Sequence, residues 1–595
     1  MGDNRNMFIA IGVSLVFIIV YQMFVLGPAG ERRQAAREAA EIAQQAELAD
    51  PSIADDALST GTATREDALA AETRIEIDGP AVSGSLSLTG ARIDDLRLLR
   101  HETAVDDESP VVLLNPRGST GALFAQDGWS AAGDGPTDTP GNTTEWTLVE
   151  GTTLTPDTPV TLEYRGSDGL VFRREISVDD NYMFTLTDTV ENTTGNTAIL
   201  SRYGMVRQSG IPEDFTNFFI LHEGPIAVID ERLHDRKFNS MDPGDHDEWS
   251  GVGGWVGITT KNWMTAVIPD QSAEYTAEFR LIERQGDDIF QTSYLLAPSE
   301  LAAGGTLTSV SRVFAGAKNV DILQAYEEDL GIQRFDMAVD WGMFWFLTRP
   351  YFTVLHWLAQ LFGPPYGFGF AILAVTVLVK LLFFPLANRS YASMAKMKAL
   401  QPKMDEIRKK HPDDKPKQQQ EIIQLYQKEK VNPIAGCLPI LLQIPVFYAL
   451  YKTLFVTLEM RHQPFPGWIQ DLSAPDPTSI WNLFGLIPWD PSGIMLIGGV
   501  LAIGAWPILM GLTMWAQQSL NPPPPDPTQR RIFAFLPLLF TFMLANFAAG
   551  LVIYWAWNNF LSVIQQYVIM RRQGVETQFD KLIKRIMNRG AGAES

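Results

Sequence analysis

A single cysteine, Cys437, is present in the whole chain, so an intramolecular disulfide is excluded and the redox compartment is left undefined. Histidine is scarce too. Seven are scattered without HExxH or another metal-ligand spacing, and neither a metal nor another cofactor is expected. His234 and His246 lie in an Asp-rich loop that reads as a solvated acidic surface. The C-terminal part has no GxxxxGK(S/T) phosphate loop, no GxSxG nucleophile elbow and no paired catalytic carboxylates. That excludes nucleotide coupling and bond-breaking chemistry there, and no enzyme is expected. Residues 251–257 (GVGGWVG) miss the GxGxxG spacing and sit among strands, so they read as a tight turn. Positive charge is short in residues 1–340, with 24 Lys and Arg against 55 Asp and Glu, which argues against nucleic-acid binding. From Trp341 onward the balance reverses, 23 basic against 14 acidic. A split this sharp predicts two parts in two environments.

Long apolar runs supply the organisation. Residues 7–26 (MFIAIGVSLVFIIVYQMFVL) suffice to span ~30 Å of hydrocarbon as a helix. The length of the run, and Gly27-Pro28 in place of a small-residue cleavage site, favour an uncleaved anchor over a signal peptide. Residues 27–72, rich in Ala, Glu, Gln and Asp, cannot bury a core and read as a flexible tether. Alternating segments such as TRIEID, VTLEYRG and MFTLTDTV, parted by clusters such as RGSDG and ENTTGN, predict a large all-β sandwich over 73–340. Helical spacing over 320–341 adds a linking helix at its end. Residues 341–366 carry Arg349, His356 and Gln360 among aromatics, as an interfacial amphipathic helix does. Five spans follow, at 368–386, 434–458, 494–515, 532–547 and 551–570, within a helical core over 367–570. With the anchor they make six. The expected fold class is a polytopic α-helical membrane protein carrying a large all-β domain.

Orientation follows the Lys and Arg of short loops. Residues 387–431 hold eleven and the basic tail, 571–595, holds six, whereas 459–493 holds only Arg461. The first loop and the C-terminus are therefore expected in the cytoplasm, the N-terminus with them by parity, and the acidic β domain outside. Arg32, Arg33 and Arg37 oppose this locally but are outnumbered.

Lys380 lies inside the span at 368–386. A charge at membrane depth is costly unless it faces a polar cavity or reaches the interface. Two roles are open to it. Its stem can snorkel to the cytoplasmic side, or it can line a wet interior, which Thr376 one turn earlier favours. The last span carries Tyr554, Trp555, Asn558, Ser562, Gln565 and Gln566 at three- and four-residue steps, a polar-aromatic stripe. Gln443, Thr541 and Asn546 can face the same interior. The span at 532–547 is only ~24 Å long, a mismatch that thins the bilayer.

The cytoplasmic loop over 388–431 reads as a helical hairpin. Its first helix carries Tyr391, Met394, Met397, Leu400, Met404 and Ile407 as an apolar stripe, with Lys398, Lys409 and Lys410 among the basic residues opposite. Methionine stripes suit variable apolar partners. A hairpin resting on anionic lipid is equally consistent.

Several motifs occur in order: Lys380-x4-Pro385-Leu386, SMAKM at 393–397, LQP at 400–402, EKVNPIAGCLPILLQIPVF at 429–447, GWIxDLS at 467–473, and GLVIYW at 550–555 followed by Asn558-Asn559 and Gln565-Gln566. GWVGI at 254–258, Trp263 and Pro269 add to them. In these the chain resembles the YidC/Oxa family of membrane insertases, in its Gram-negative form with a large periplasmic domain. The resemblance implies a bacterial inner-membrane protein with a periplasmic β-sandwich and a five-helix insertase core around a hydrophilic groove. It also implies one groove cation in the first core helix, usually arginine, whose place Lys380 takes. Thr376, Gln443, Ile444, Phe447, Tyr554 and Trp555 would line the groove or its lipid-facing slide. Implied partners are nascent membrane proteins, the Sec translocon and its accessory subunits, the ribosome and signal-recognition machinery, and the bilayer. The expected function is insertion and folding of membrane proteins without an energy source, alone or with the translocon. The rivals are a secondary transporter using Lys380, for which no internal repeat is evident, and an assembly chaperone without translocation.

Overall fold

The computed structural model describes residues 61–574 and residue 580, leaving out residues 62, 106, 133–134, 219, 285–286, 413, 430–437, 486, 488–502 and 522–526, and the side chains at 415, 438–443, 482, 485 and 527. The expected anchor over 7–26, almost all of the tether, the start of the span at 494–515 and almost all of the tail lie outside the described residues. The chain forms two compact units that divide after Asp340.

The first unit is built from alternating strands. In Leu170–Val178 the inward positions are Leu170, Phe172, Arg174, Ile176 and Val178, with Arg173 and Glu175 facing out. Such strands assemble into two sheets. One sheet runs Arg232–Asp235, Gly224–Ile229, Gly254–Thr259, Trp263–Ile268, Thr306–Ala317, Met183–Asn192, Leu170–Val178, Val160–Arg165 and Thr147–Glu150. The other runs His246–Val252, Glu274–Arg284, Asp287–Leu296, Ala198–Ser209, Leu123–Ala132, Arg92–Ala104, Val82–Ser87, Arg74–Asp78 and Thr153–Leu154, with Ser299–Leu301 and Asp107–Leu114 paired beside it. Helix α1 (Arg65–Ala70) precedes them, its N-terminus capped by Thr64.

The glycine run at 251–257 is where the chain changes sheets. His246–Val252 belongs to one sheet and Gly254–Thr259 to the other, with Gly253 and Gly254 at φ 72° and 101° between them. A Cβ on Gly254 would stand 1.9 Å from the Val228 carbonyl oxygen. Gly254→Ala should therefore destabilise this unit by about 2–3 kcal/mol, a positive-φ penalty plus a backbone shift. Gly195→Ala, where a Cβ meets nothing within 4 Å, should be near neutral. Thermal unfolding of the two variants, followed by the β-sheet circular dichroism signal, checks the contrast.

At the centre of the sandwich four charges replace apolar side chains. Arg174 and Asp188 are cross-strand partners of one sheet, and Asp127 and Arg202 lie on neighbouring strands of the other. All four are essentially fully buried. Arg174 bonds Asp188 at 2.6 Å and Asp127 at 2.7 Å, and Arg202 bonds Asp127 at 2.9 Å. Trp129 Nε1 donates to Asp188 at 2.7 Å, and Ser311 Oγ and Tyr294 Oη to Asp127 at 2.8 and 3.2 Å. Strand alternation places these residues inside, and the network satisfies them there.

The linking helix is shorter than expected. α2 (Val320–Leu330) starts under an Asn319 cap and ends at Gly331, whose left-handed conformation (φ 67°, ψ 23°) closes the helix about ten residues early.

The second unit is helical. α3 (Trp345–Phe362) exposes Trp345, Phe346, Trp357 and Leu361 and buries Thr348, Tyr351, Phe352 and Leu355. α4 (Gly367–Leu382) packs on it. The expected single helix over 368–386 is instead broken after Leu382: α5 (Phe384–Ala399) leaves at 71° to α4. Pro385 supplies the reason, since it has no N–H for a continuing helix and its ring obstructs the carbonyl four residues back. The hairpin's first helix is likewise two. α6 (Gln401–Lys410) begins anew with Pro402 in its first turn, and α7 (Lys415–Lys428) returns beside it. α8 (Leu438–Val456), α9 (Ala505–Leu520), α10 (Pro527–Met543) and α11 (Ala549–Arg572) follow. Among the described residues no single helix is long and apolar enough to cross a membrane, while the bent pair α4–α5 is so taken together. α11 lies against α9 and also meets α4, α5 and α8, which makes it the wall common to the site.

Candidate functional site

The break in α4 puts Lys380 two residues from the helix end rather than six, so the route outward is shorter than the unbroken span implied. The side chain turns inward instead. Lys380 Nζ donates to Ser562 Oγ of α11 at 2.8 Å, and Ser562 Oγ donates to the Asn558 carbonyl at 2.8 Å. The ammonium lines an open cavity.

Thr376, Tyr554 and Asn558 share this lining with Lys380, as the sequence reading grouped them. Gln565 of the same stripe also reaches it. Thr376 spends its hydroxyl proton on the Ile372 carbonyl at 2.6 Å. Asn558 Nδ2 and Gln565 Nε2 are buried without an acceptor among the described residues, as groups lining a hydrated space can be. No carboxylate is among the described lining residues. The cavity therefore offers an ammonium and amide donors against apolar walls of Val379, Phe383, Leu386 and Val446. Chemically that suits a carboxylate, or the carbonyls of an unpaired backbone.

Other expected residues fall elsewhere. Phe447 and Trp555 meet edge to face at 4.8 Å between centroids, and Phe540 joins them at 5.4 Å. Ile444 is exposed. Thr541 bonds the Pro537 carbonyl at 2.8 Å and faces Gly511 of α9, outside the cavity lining. The Gln443 side chain lies outside the described residues.

Sequence reasoning missed Tyr391, Val446, Phe383 and Ala387 as lining residues. By spacing Tyr391 belongs to the cytoplasmic stripe; the 71° bend between α4 and α5 is what brings it into the cavity lining with Lys380. The rest of the stripe is used internally. Met394 and Met397 are buried with Tyr391, Leu400 and Ile569, and Met404 Sδ accepts from Tyr426 Oη at 3.4 Å. Lys398 Nζ donates to the carbonyls of Ser519 and Leu520 at 3.3 and 3.1 Å, neutralising the C-terminal end of α9. Lys409 and Lys410 remain exposed, with Lys410 3.6 Å from Glu421.

Two family profiles match the chain. One, described as the YidC periplasmic domain, covers residues 74–354, and one described as the 60Kd inner membrane protein covers residues 357–576. Together they define the class: an inner-membrane protein that joins a periplasmic, sheet-rich domain to a helical C-terminal region. Among curated relatives, the membrane protein insertase YidC of Maricaulis maris is 59% identical over 99% of both chains. That of Methylorubrum extorquens is 47% identical over 99% of this chain and 98% of its own. A solved structure described as an active YidC insertase with its first transmembrane domain resolved is 17% identical, covering 83% of this chain and 92% of its own at a TM-score of 0.35. The chain belongs to the YidC family of membrane protein insertases.

Proposed function

We propose that this insertase works through the cavity around Lys380, which receives the hydrophilic flank of an incoming segment while its apolar helix partitions into lipid. The ammonium inside an open cavity with no carboxylate among its described lining residues carries this reading. The apolar helix supplies the driving force, roughly 0.8 kcal/mol per buried CH2. The charge and amides lower the cost of holding a polar flank at that depth. α10, 17 residues and so ~26 Å long, is short against ~30 Å of hydrocarbon and thins the bilayer the flank has to cross.

In this reading the six expected helices span the inner membrane, with both termini cytoplasmic and the acidic unit periplasmic. The exposed aromatics of α3 lie in the interface. Nascent membrane proteins are the clients. The ribosome, the signal-recognition machinery and the Sec translocon are the expected partners, with the hairpin's exposed Lys409 and Lys410 on the cytoplasmic side.

Proteoliposomes holding this protein alone, with no nucleotide, should insert a small single-span client and protect its flank from external protease. Solute uptake without insertion would establish a transporter instead. Crosslinking of the client helix to Phe447 or Tyr554 without flank protection would establish a chaperone.

A further inference from the structure

The route from Lys380 to the end of α4 is short, yet the ammonium is held back. A lysine stem is flexible and its head is strongly hydrated, so without a tether it would favour the wet mouth of the cavity. The tether is Ser562, 182 residues away in the chain and 1% exposed. Its single hydroxyl proton is committed to the Asn558 carbonyl. Toward Lys380 it presents only lone pairs, which an ammonium, having no acceptor, can use. Thr376 commits its proton in the same way, to Ile372 one turn back, but it is the Ser562 oxygen that Lys380 Nζ reaches. α11 lies against α9 and meets α4, so the serine oxygen is a fixed point in this unit.

The chemistry of the tether matters as much as its place. A carboxylate at 562 would hold the ammonium more strongly but would neutralise it. A hydroxyl holds it and leaves the charge, with two further N–H groups, for a ligand.

We propose that Ser562 is a positioning residue that keeps the Lys380 charge over the cavity without quenching it, and so sets the preference for acidic client flanks. This rests on the cavity reading above. It adds a requirement that the charge alone does not impose: the residue facing Lys380 must be a neutral acceptor fixed on α11.

The test uses the full-length protein in proteoliposomes and two single-span clients that differ only in the charge of the translocated flank, one acidic and one neutral. Ser562→Ala should lower insertion of the acidic client about tenfold, the order expected for losing a hydrogen bond to a charged group, and lower the neutral client far less. Ser562→Thr should restore the acidic client. Ser562→Asp, which keeps an acceptor but cancels the charge, should fall to the level of Lys380→Ala. The double variant Lys380→Ala/Ser562→Ala should be no worse than Lys380→Ala alone. Loss of both clients equally in Ser562→Ala would overturn the proposal and make Ser562 a packing residue. Retained acidic preference in Ser562→Ala, alongside its loss in Lys380→Ala, would overturn the positioning role and spare the cavity reading. Retained preference in Lys380→Ala would overturn both.

Discussion

Lys380→Glu should stop insertion of clients with acidic flanks, by about a hundredfold relative to the parent protein, with the chain still folded. Two unit charges 4 Å apart interact by about 4 kcal/mol at an effective dielectric near 20. A mobile flank in a wet cavity realises a fraction of that, about 1.4 kcal/mol, which is tenfold. Removing the cation in Lys380→Ala should therefore cost an acidic client about tenfold, and reversing it about the square of that. A neutral flank should lose little in Lys380→Ala. Lys380→Arg keeps the charge and should keep function, although a planar guanidinium meets Ser562 with a different donor geometry. Protease-protected flank, measured as an initial rate, separates these cases. Equal rates for acidic and neutral clients in Lys380→Ala would mean that the lysine serves only to reach the interface. The protein would then need another source for any flank preference, and no other cation is among the described lining residues.

Asp127→Ala should destabilise the β unit by about 3–5 kcal/mol, because it leaves Arg174 and Arg202 buried with half their counter-charge gone. The contacts that would be lost are short and fully desolvated: Arg174 at 2.7 Å, Arg202 at 2.9 Å and Ser311 at 2.8 Å. The same network predicts acid sensitivity. Burial pushes the Asp188 carboxyl upward, but Arg174 and Arg202 outweigh it and hold the group below the usual carboxylate range. A group depressed on folding contributes stability that is fully present above its unfolded value, about 3.9. That contribution is lost as pH falls through the lower folded value. The unfolding midpoint of the β signal should therefore drop as pH is lowered below about 4, and Asp188→Asn should lower the neutral-pH midpoint while flattening that dependence. An Asp127→Ala protein with an unchanged midpoint at pH 7 would show that the four charges contribute nothing net. Buried ion pairs carry a large desolvation cost, and here seven hydrogen bonds from Arg174, Arg202, Trp129, Tyr294 and Ser311 to the two carboxylates offset it.

Periodicity made the strands legible, and apolar length made the helical segments legible. Phe172 and Ile176 were readable as core because alternation reports which face a residue takes. The same alternation put Arg174 and Asp188 on that face, but nothing local showed that Asp127 and Arg202 would meet them. Pro385 and Pro402 are visible breaks, yet apolar content continues past the first and three- and four-residue spacing past the second, which hides both interruptions and leaves Tyr391 on the cytoplasmic stripe.

The amino-acid order alone determined the charge division at residue 340, the identity of the strands, the anomalous lysine in an apolar run and the motifs that mark the family. Each of these is a property of composition or of short-range spacing. The fold alone decided that α4 stops just past Lys380, that the ammonium turns to Ser562 rather than outward, and that four buried charges close on one another between two sheets. Those outcomes depend on partners tens to hundreds of residues apart. A periodic pattern names the face a side chain occupies; only packing names the group across from it.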